Sequence, residues 1–244
     1  MANEATQPTR HRMRDDLPPL PQNMTDLPID ERGYPVPWFV AWIDGKPDFR
    51  VIGPGKLARA VKEHRCWVCG GPRGSWDVFT IGPMCAVNRV SSEPPSHRRC
   101  ATYSVQACPF LSRANMRRRT DNLPEGRKDP AGIGIDRNPG VILLWVTRSW
   151  ETLQVENGVL FEVGEPEEIV AYTGGRIATL EETWASVESG IPFLREAAIG
   201  DSGHRVSDSL EHLDQQIKRA RTTLEKHLEK PAAKKITNGE SLYA

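Results

Sequence analysis

The chain has 244 residues, a hydrophobic fraction of 38% and equal numbers of basic and acidic side chains, 32 of each. A chain of this length and apolar content buries a core, so we expect one medium domain or two small ones. A net charge of zero excludes a global electrostatic argument for nucleic acid or membrane as partner. The sequence shows no apolar run near the roughly 18 residues of a membrane span and no N-terminal secretory signal, so we expect a cytoplasmic protein without membrane association.

The N-terminal region divides into a polar leader and a β-hairpin. Residues 1–37 contain seven prolines and little apolar periodicity, which predicts a disordered leader. Two runs of β-forming residues, 38–43 and 49–52, flank an Asp-Gly pair at 44–45 that is typical of a tight turn. A short helix is expected over 57–64. We therefore expect ordered structure to begin at the first β-forming run.

Two cysteines and a later histidine–cysteine pair have the spacing of metal ligands. Cys66 and Cys69 are separated by two residues and followed by two glycines, as in a zinc knuckle. His97 and Cys100 follow a Pro-Pro-Ser sequence that favours a helix start, with Ser96 as its cap, and their spacing places both ligands on one helical face. In a reducing compartment such cysteines indicate metal binding before a disulfide. We predict one structural Zn²⁺ bound by these four side chains, with every coordination position filled by protein.

Two further cysteines, Cys85 and Cys108, carry the same donor atom. Cys85 would replace His97 if the hairpin that we predict over residues 76–85 turns inward, and this alternative stays open. Cys108 lies about 12 Å beyond Cys100 along a helix axis, too far to share one tetrahedron, so we expect it to pack in the core. The order of knuckle, hairpin and ligand-bearing helix resembles a treble-clef zinc finger.

Treble-clef proteins include the HNH endonucleases, which need a general-base histidine in the hairpin and a catalytic metal beside it. Residues 74–88 contain no histidine, and only Asp77 and Asn88 stand as candidates for the missing groups. A degenerate HNH-like nuclease is therefore a minor alternative, and we assign no catalytic residue. A separate enzymatic alternative is a site in the later half of the chain, among Glu165, Glu167, Glu168 and Arg176.

A basic block lies beside the predicted ligands. Between residues 94 and 120 the sequence has no acidic residue and six arginines, namely Arg98, Arg99, Arg113, Arg117, Arg118 and Arg119. On and after the ligand-bearing helix they would form a face for the phosphates of DNA or RNA. The opposing interpretation is that they pair with the acidic segment 151–190, which holds nine glutamates. The sequence alone leaves both interpretations open.

The later half of the chain predicts a small α+β unit. We expect a hairpin and zinc-binding unit over 38–120, a Gly- and Pro-rich linker over 121–140 and the α+β unit over 141–200. The apolar run 141–146 predicts a strand buried on both faces. Its expected partner strands are 158–163 and 169–172.

Two helices are predicted near the C-terminus. Thr179 and Glu182 form a capping box, which predicts a helix to about Ser189 that ends at Gly190. In the region 201–244 we expect an amphipathic helix, 209–229, and a disordered tail. That helix would dock on the body, pair with a second copy or bind a host protein through an apolar stripe of Leu210, Leu213, Ile217, Ala220 and Leu224.

Three phrases of the sequence resemble an uncharacterised family found in bacterial and phage genomes. They are Gly33–Val40, Ile81–Arg89 and Ala178-Thr179 through Gly190-Ile191-Pro192, and the resemblance covers roughly residues 28–198. It implies a phage or mobile-element context and contributes no catalytic residue.

Together these observations predict an α+β fold with a treble-clef-like zinc-binding region, a small antiparallel or mixed sheet and a C-terminal amphipathic helix. The first functional hypothesis is a zinc-stabilised phage or mobile-element protein that binds nucleic acid through its arginine-rich helix. The alternative is an interaction protein that acts on a host partner.

Overall fold

The chain folds as an α+β protein, as the sequence predicts. The computed structural model describes residues 11–114, 116–124, 130–132, 137–201 and 205–229. Nine strands in three antiparallel sheets and six α-helices lie within these ranges. No helix among them combines the length and apolar character that crossing a membrane requires.

Residues 11–37 form packed structure, so the predicted disordered leader is wrong over this range. A 3-10 helix covers Gln22–Met24. Residues 1–10 lie outside the described residues. The buried apolar side chains of the segment are Met24, Leu27, Ile29 and Val36. They occur singly between prolines without helical or strand periodicity, which explains why the sequence pattern did not reveal them.

The predicted hairpin is present. Strands β1 (Val40–Ile43) and β2 (Lys46–Ile52) pair antiparallel. Asp44 and Gly45 join them with φ angles of 50° and 76°, the left-handed conformation at both central positions that two-residue hairpin turns require. Helix α1 (Lys56–Lys62) follows and leads to Cys66.

The remaining elements follow in chain order. They are β3 (Asp77–Ile81), α2 (Pro83–Asn88), β4 (Val90–Ser91), α3 (Arg98–Ala107), α4 (Pro109–Ser112), β5 (Ile142–Thr147), β6 (Trp150–Val155), β7 (Gly158–Val163), β8 (Glu168–Thr173), β9 (Arg176–Ile177), α5 (Leu180–Asp201) and α6 (Val206–Leu228).

The hairpin predicted over residues 76–85 is wrong in its second arm. Gly82 is the extended residue before α2, and Pro83 occupies the first helical position, where its missing N–H costs no hydrogen bond. Strand β3 is therefore free to pair with β5, far along the chain. The Gly-Pro pair starts a helix here rather than turning a hairpin.

Strand β5 is the centre of the main sheet, whose order is β3-β5-β8-β9. All six of its residues are buried, as its continuous apolar sequence predicts. The strand predicted over 158–163 exists as β7, but it belongs to a second sheet of order β4-β7-β6. Phe161 of β7 still reaches the main core, where its ring centroid lies 6.3 Å from that of Phe79 on β3.

Helix α5 begins with the predicted capping box and runs beyond its predicted end. The Thr179 N–H donates to Glu182 Oε2 at 2.9 Å, and the Glu182 N–H donates to Thr179 Oγ1 at 3.1 Å. The helix then continues through Gly190 and Pro192, so the predicted stop is wrong. A Cβ atom on Gly190 would lie 2.5 Å from Met84 Cγ of α2. This glycine therefore permits close packing between two helices and does not end one.

The apolar stripe of α6 docks on the body of the protein. Leu213, Ala220 and Leu224 are buried in the same cluster as Trp145 of β5, and Ile217 packs against that cluster. The helix lies against α5, α2 and β8. The stripe is thus covered by its own chain, the first of the arrangements considered for it. Residues 230–244, where we predicted a disordered tail, lie outside the described residues.

Candidate metal centre

The first ligand pair lies on a tight knuckle between α1 and β3. The Cys66 N–H donates to the Gly71 carbonyl and the Gly70 N–H to the Cys66 carbonyl, both at 2.8 Å. Gly70 has a φ of 74°, a conformation that glycine adopts without strain. A side chain there would also collide with Trp38, whose ring lies 2.5 Å from the position of an added Cβ. The local sequence thus fixes the Cys66–Cys69 turn.

The second ligand pair lies at the start of α3. His97, not Ser96, is the residue that precedes the first helical position, with φ −64° and ψ 147°. Ser96 instead bridges β3, since its N–H donates to the Val78 carbonyl at 2.9 Å and its carbonyl accepts from the Val78 N–H at 3.1 Å. The sheet thereby positions the helix start, and Cys100 follows in the first turn.

The structure brings the four predicted ligands together. The donor atoms of Cys66, Cys69, His97 and Cys100 all lie within 4.8 Å of one another. Donors in a tetrahedral site with Zn–S bonds of about 2.3 Å are themselves about 3.8 Å apart. Side-chain movements of about 1 Å or less would therefore bring these donors to the distances of a zinc site. The four side chains can therefore hold a metal ion.

The imidazole of His97 is oriented for metal binding. Its Nε2 lies 2.8 Å from the Pro72 carbonyl oxygen. Because a carbonyl only accepts hydrogen bonds, Nε2 carries the proton and Nδ1 has a free lone pair. Nδ1 faces the cysteines, 3.3 Å from Cys69 Sγ and 3.8 Å from Cys100 Sγ. The backbone of the knuckle thus selects the tautomer that a metal needs.

The electrostatics of the cluster also favour a bound cation. Burial opposes ionisation of Cys66, yet hydrogen bonds from Cys100, Cys69 and His97 outweigh it and lower the pKa of this thiol. Hydrogen bonds with Cys66 and Cys69 raise the pKa of Cys100 instead. Adjacent negative sulfurs repel one another, so the thiols of the cluster do not ionise independently. A divalent cation removes that conflict by binding all three as thiolates.

The other two cysteines stand outside this cluster. Cys85 lies on α2, and burial raises its pKa to about 11. Burial raises the pKa of Cys108 as well. Within the described ranges, the cluster that could hold a metal includes His97 and excludes Cys85, which answers the alternative left open by the sequence. Both remaining cysteines behave as packed neutral thiols.

One polar contact of the cluster has no sequence signal. The side-chain amide nitrogen of Asn23 lies 2.9 Å from Cys100 Sγ, 3.5 Å from Cys69 Sγ and 3.1 Å from His97 Nδ1. Asn23 belongs to the 3-10 helix of the N-terminal segment, which the sequence predicted to be disordered. No spacing rule connects it to the knuckle, because the contact is made by tertiary packing.

The six arginines of the basic block divide into two groups. Arg98 forms a two-pronged ion pair with Glu168 of β8, as the pairing interpretation predicted. The other five are exposed. Among them, the Arg118 guanidinium lies over the ring of Phe110, 5.4 Å from the ring centroid. The remaining exposed members are Arg99, Arg113, Arg117 and Arg119.

The acidic residues considered for an enzymatic site are distributed among separate ion pairs. Glu165 pairs with the buried Arg89, Glu167 with Arg148 at 3.8 Å and Arg176 with Glu182. Glu168 binds the arginine of α3 described above. These side chains act as links between elements of the fold.

The four-residue cluster is therefore the candidate functional site of the described residues. Knuckle, helix start and N-terminal segment converge on four donor atoms of metal-ligand type. Comparison of the chain with family models, with curated proteins and with solved structures found no match.

Proposed function

We propose that this chain is a zinc-binding protein in which one Zn²⁺, held by Cys66, Cys69, His97 and Cys100, stabilises the fold. The observation that carries the proposal is the convergence of three sulfurs and one correctly oriented imidazole nitrogen within 4.8 Å. Thiolate and imidazole donors in this number are the ligand set of structural zinc sites. A reducing compartment such as the cytoplasm would keep the three thiols available.

The proposed role is structural because protein donors fill all four positions of a tetrahedral ion. Catalytic zinc keeps one position open for water or substrate. The ligands also come from separate pieces of backbone, the knuckle and the start of α3. An ion that joins them would fix the orientation of this helix.

The test is metal analysis of protein purified without added metal. One zinc per chain is expected, and Co²⁺ replacement should give the visible absorption of a tetrahedral site with three thiolate ligands. Cys66→Ser and Cys100→Ser should each lose the metal, whereas Cys85→Ser should keep it. A metal-free wild-type chain that also fails to take up Zn²⁺ or Co²⁺ would overturn the proposal.

We further propose that α3 and the residues after it, up to Arg119, contact nucleic acid. The setting would be the phage or mobile element implied by the sequence resemblance. The observation that favours this function is the exposure of Arg99, Arg113, Arg117 and Arg119 on and after α3. Exposed guanidinium groups bind phosphate oxygens through paired hydrogen bonds. Arg98 is excluded from this surface because Glu168 already engages it.

An electrophoretic shift with duplex DNA, single-stranded DNA and RNA tests this second proposal. The variant Arg99→Ala/Arg117→Ala/Arg119→Ala should weaken binding and reduce its dependence on salt. A protein that contacts fewer phosphates releases fewer counterions from the nucleic acid when it binds. Arg195→Ala/Arg221→Ala removes two other arginines, from α5 and α6, whose side chains are 44% and 59% exposed and ion-paired, and serves as a control for loss of positive charge elsewhere. Absence of a shift at low salt with all three nucleic acids would contradict the proposal.

A further inference from the structure

The N-terminal segment, defined here as residues 11–37, lies directly against the metal centre. Met24 and Leu27 are buried in one cluster with Cys66, Cys100 and Tyr103. Leu17 and Leu20 pack against the same cluster. The segment therefore covers the thiol side of the centre with apolar side chains.

One backbone hydrogen bond and one buried side chain hold Asn23 in position within this segment. The 3-10 helix is closed by a hydrogen bond from the Met24 N–H to the Pro21 carbonyl at 2.8 Å. Met24 points into the buried cluster while its neighbour Asn23 remains partly open to solvent. The turn is thus anchored on its apolar side and presents an amide to the rim of the metal centre.

The hydrogen-bonding capacity of the amide determines what it does there. The Asn23 NH₂ group has two hydrogens and lies 2.9 Å from Cys100 Sγ and 3.5 Å from Cys69 Sγ. It is also 3.1 Å from His97 Nδ1, but that lone pair is committed to the metal in the tautomer described above. The two thiolate sulfurs are consequently its acceptors. N–H donors spread the negative charge of metal-bound thiolates and hold them in place.

We infer that Asn23 is a positioning residue of the zinc centre, which retains the ion by donating hydrogen bonds to Cys100 and Cys69 and thereby closes the N-terminal segment over it. This inference rests on the proposed zinc binding. It gives the segment a role that is coupled to the metal. Loss of the ion weakens the acceptors of the Asn23 amide, because sulfurs that regain protons accept hydrogen bonds less strongly than thiolates, and loss of the amide speeds release of the ion.

The experiment measures zinc release from the full chain into a chromophoric chelator. Asn23→Ala removes the donor, and Asn23→Asp keeps the shape but places a carboxylate against two thiolates. Both should release zinc about 10- to 100-fold faster than wild type, the usual effect of losing an outer hydrogen-bond partner of a metal ligand. Gln22→Ala, on the exposed side of the same turn, is the matched control and should release zinc at the wild-type rate.

A second measurement separates this role from a general loss of packing. In the zinc-loaded Asn23→Ala protein, hydrogen exchange should quicken at the Met24 and Leu27 amides while the amides of β5 keep their protection. Release of zinc at the wild-type rate by both Asn23 variants would overturn the inference. A wild-type chain without zinc would instead overturn the proposed function, so that the two failures are distinguishable.

Discussion

The metal-centred region and the sheet-centred region of this protein are stabilised in different ways. Around the knuckle and the N-terminal segment, the buried cluster is small, and two of its members, Cys66 and Cys100, belong to the four side chains that could hold a metal. Around β5 the core is a continuous apolar cluster that includes Phe79, Trp145 and Phe161. A small buried cluster supplies little apolar area for folding, and a metal held by its thiols would add the stability that burial alone does not provide. The larger apolar cluster of the sheet can supply its stability by burial.

The largest expected effect follows from removing the metal. Structural zinc in small peptides contributes roughly 10 kcal/mol or more of apparent folding free energy, so chelation should unfold the metal-centred region. Hydrogen exchange should speed up at the knuckle amides of Cys66 and Gly70 and at the Trp38 N–H, which donates to the Val68 carbonyl at 2.6 Å. The amides of β5 should remain protected. Equal loss of protection in β5 would show that the two regions form one cooperative unit.

Cysteine alkylation provides the control for this prediction. The pKa values of Cys85 and Cys108 are raised by burial, so both thiols stay protonated and slow to react at neutral pH. Mass spectrometry after chelation should therefore find three newly alkylated cysteines in native buffer and all five in denaturant. Modification of Cys85 at the same rate as the three ligands would contradict the assignment.

The next largest effect is expected in the sheet-centred region. Phe161 is fully buried and its ring lies 5.6 Å from that of Trp150. Phe161→Ala should lower the free energy of unfolding by about 3–5 kcal/mol, through lost burial and a cavity, while the protein keeps its metal. Urea denaturation measures the loss. Leu153→Ala on β6, an exposed position, is the control and should change stability by less than about 0.5 kcal/mol.

A smaller effect is expected at the start of α5. Thr179→Ala removes the side-chain acceptor of the Glu182 N–H and should cost about 1 kcal/mol in urea denaturation. An exposed threonine in the middle of α6, Thr222, is the control for the same substitution and should change stability by less than about 0.5 kcal/mol. Equal effects at both positions would indicate that the cap contributes nothing.

The capping box also predicts a dependence on pH. Arg176, and after it the Thr179 N–H, lower the pKa of Glu182 to about 2 from its ordinary 4.5. The stabilisation by this carboxylate is therefore complete above the unfolded pKa and is lost as the pH falls towards the folded value. Glu182→Gln should make the stability less sensitive to acid over that interval, as measured by urea denaturation at a series of pH values. An unchanged pH profile would show that the Glu182 carboxylate does not contribute to the pH dependence of stability.

The smallest effect should come from the ion pair that joins the two regions. Arg98 of α3 and Glu168 of β8 are 38% and 45% exposed, so solvent screens their attraction. A double-mutant cycle with alanine at both positions should give a coupling of roughly 0.2–1 kcal/mol. A coupling well above this range would contradict the expectation that solvent screens the pair.

The four residues that could hold a metal were predictable because their chemistry is local. Two thiols on a glycine turn, and a histidine–cysteine pair at a helix start, are read directly from spacing and donor type. The N-terminal segment was not predictable in this way, since Met24 and Leu27 belong to no periodic pattern and are buried only by contact with distant residues.

Two of the errors in element boundaries have the same physical origin. Gly190 has the local character of a helix end, but its missing side chain serves contact with Met84, and the helix continues. Pro83 has the character of a turn, but it begins α2 because β3 finds its partner in β5. In both places tertiary packing determined how a permissive residue was used.

The pairing of β3 with β5 has a consequence for how this protein can be divided. Strand β3 lies between the two ligand pairs in sequence, yet it completes the main sheet at the edge of β5. A cut between residues 121 and 140 would therefore leave β5 without a neighbour on one side and β3 without any sheet. Although they are stabilised differently, the two regions are interlaced and would have to be inherited, expressed and exchanged as a single piece.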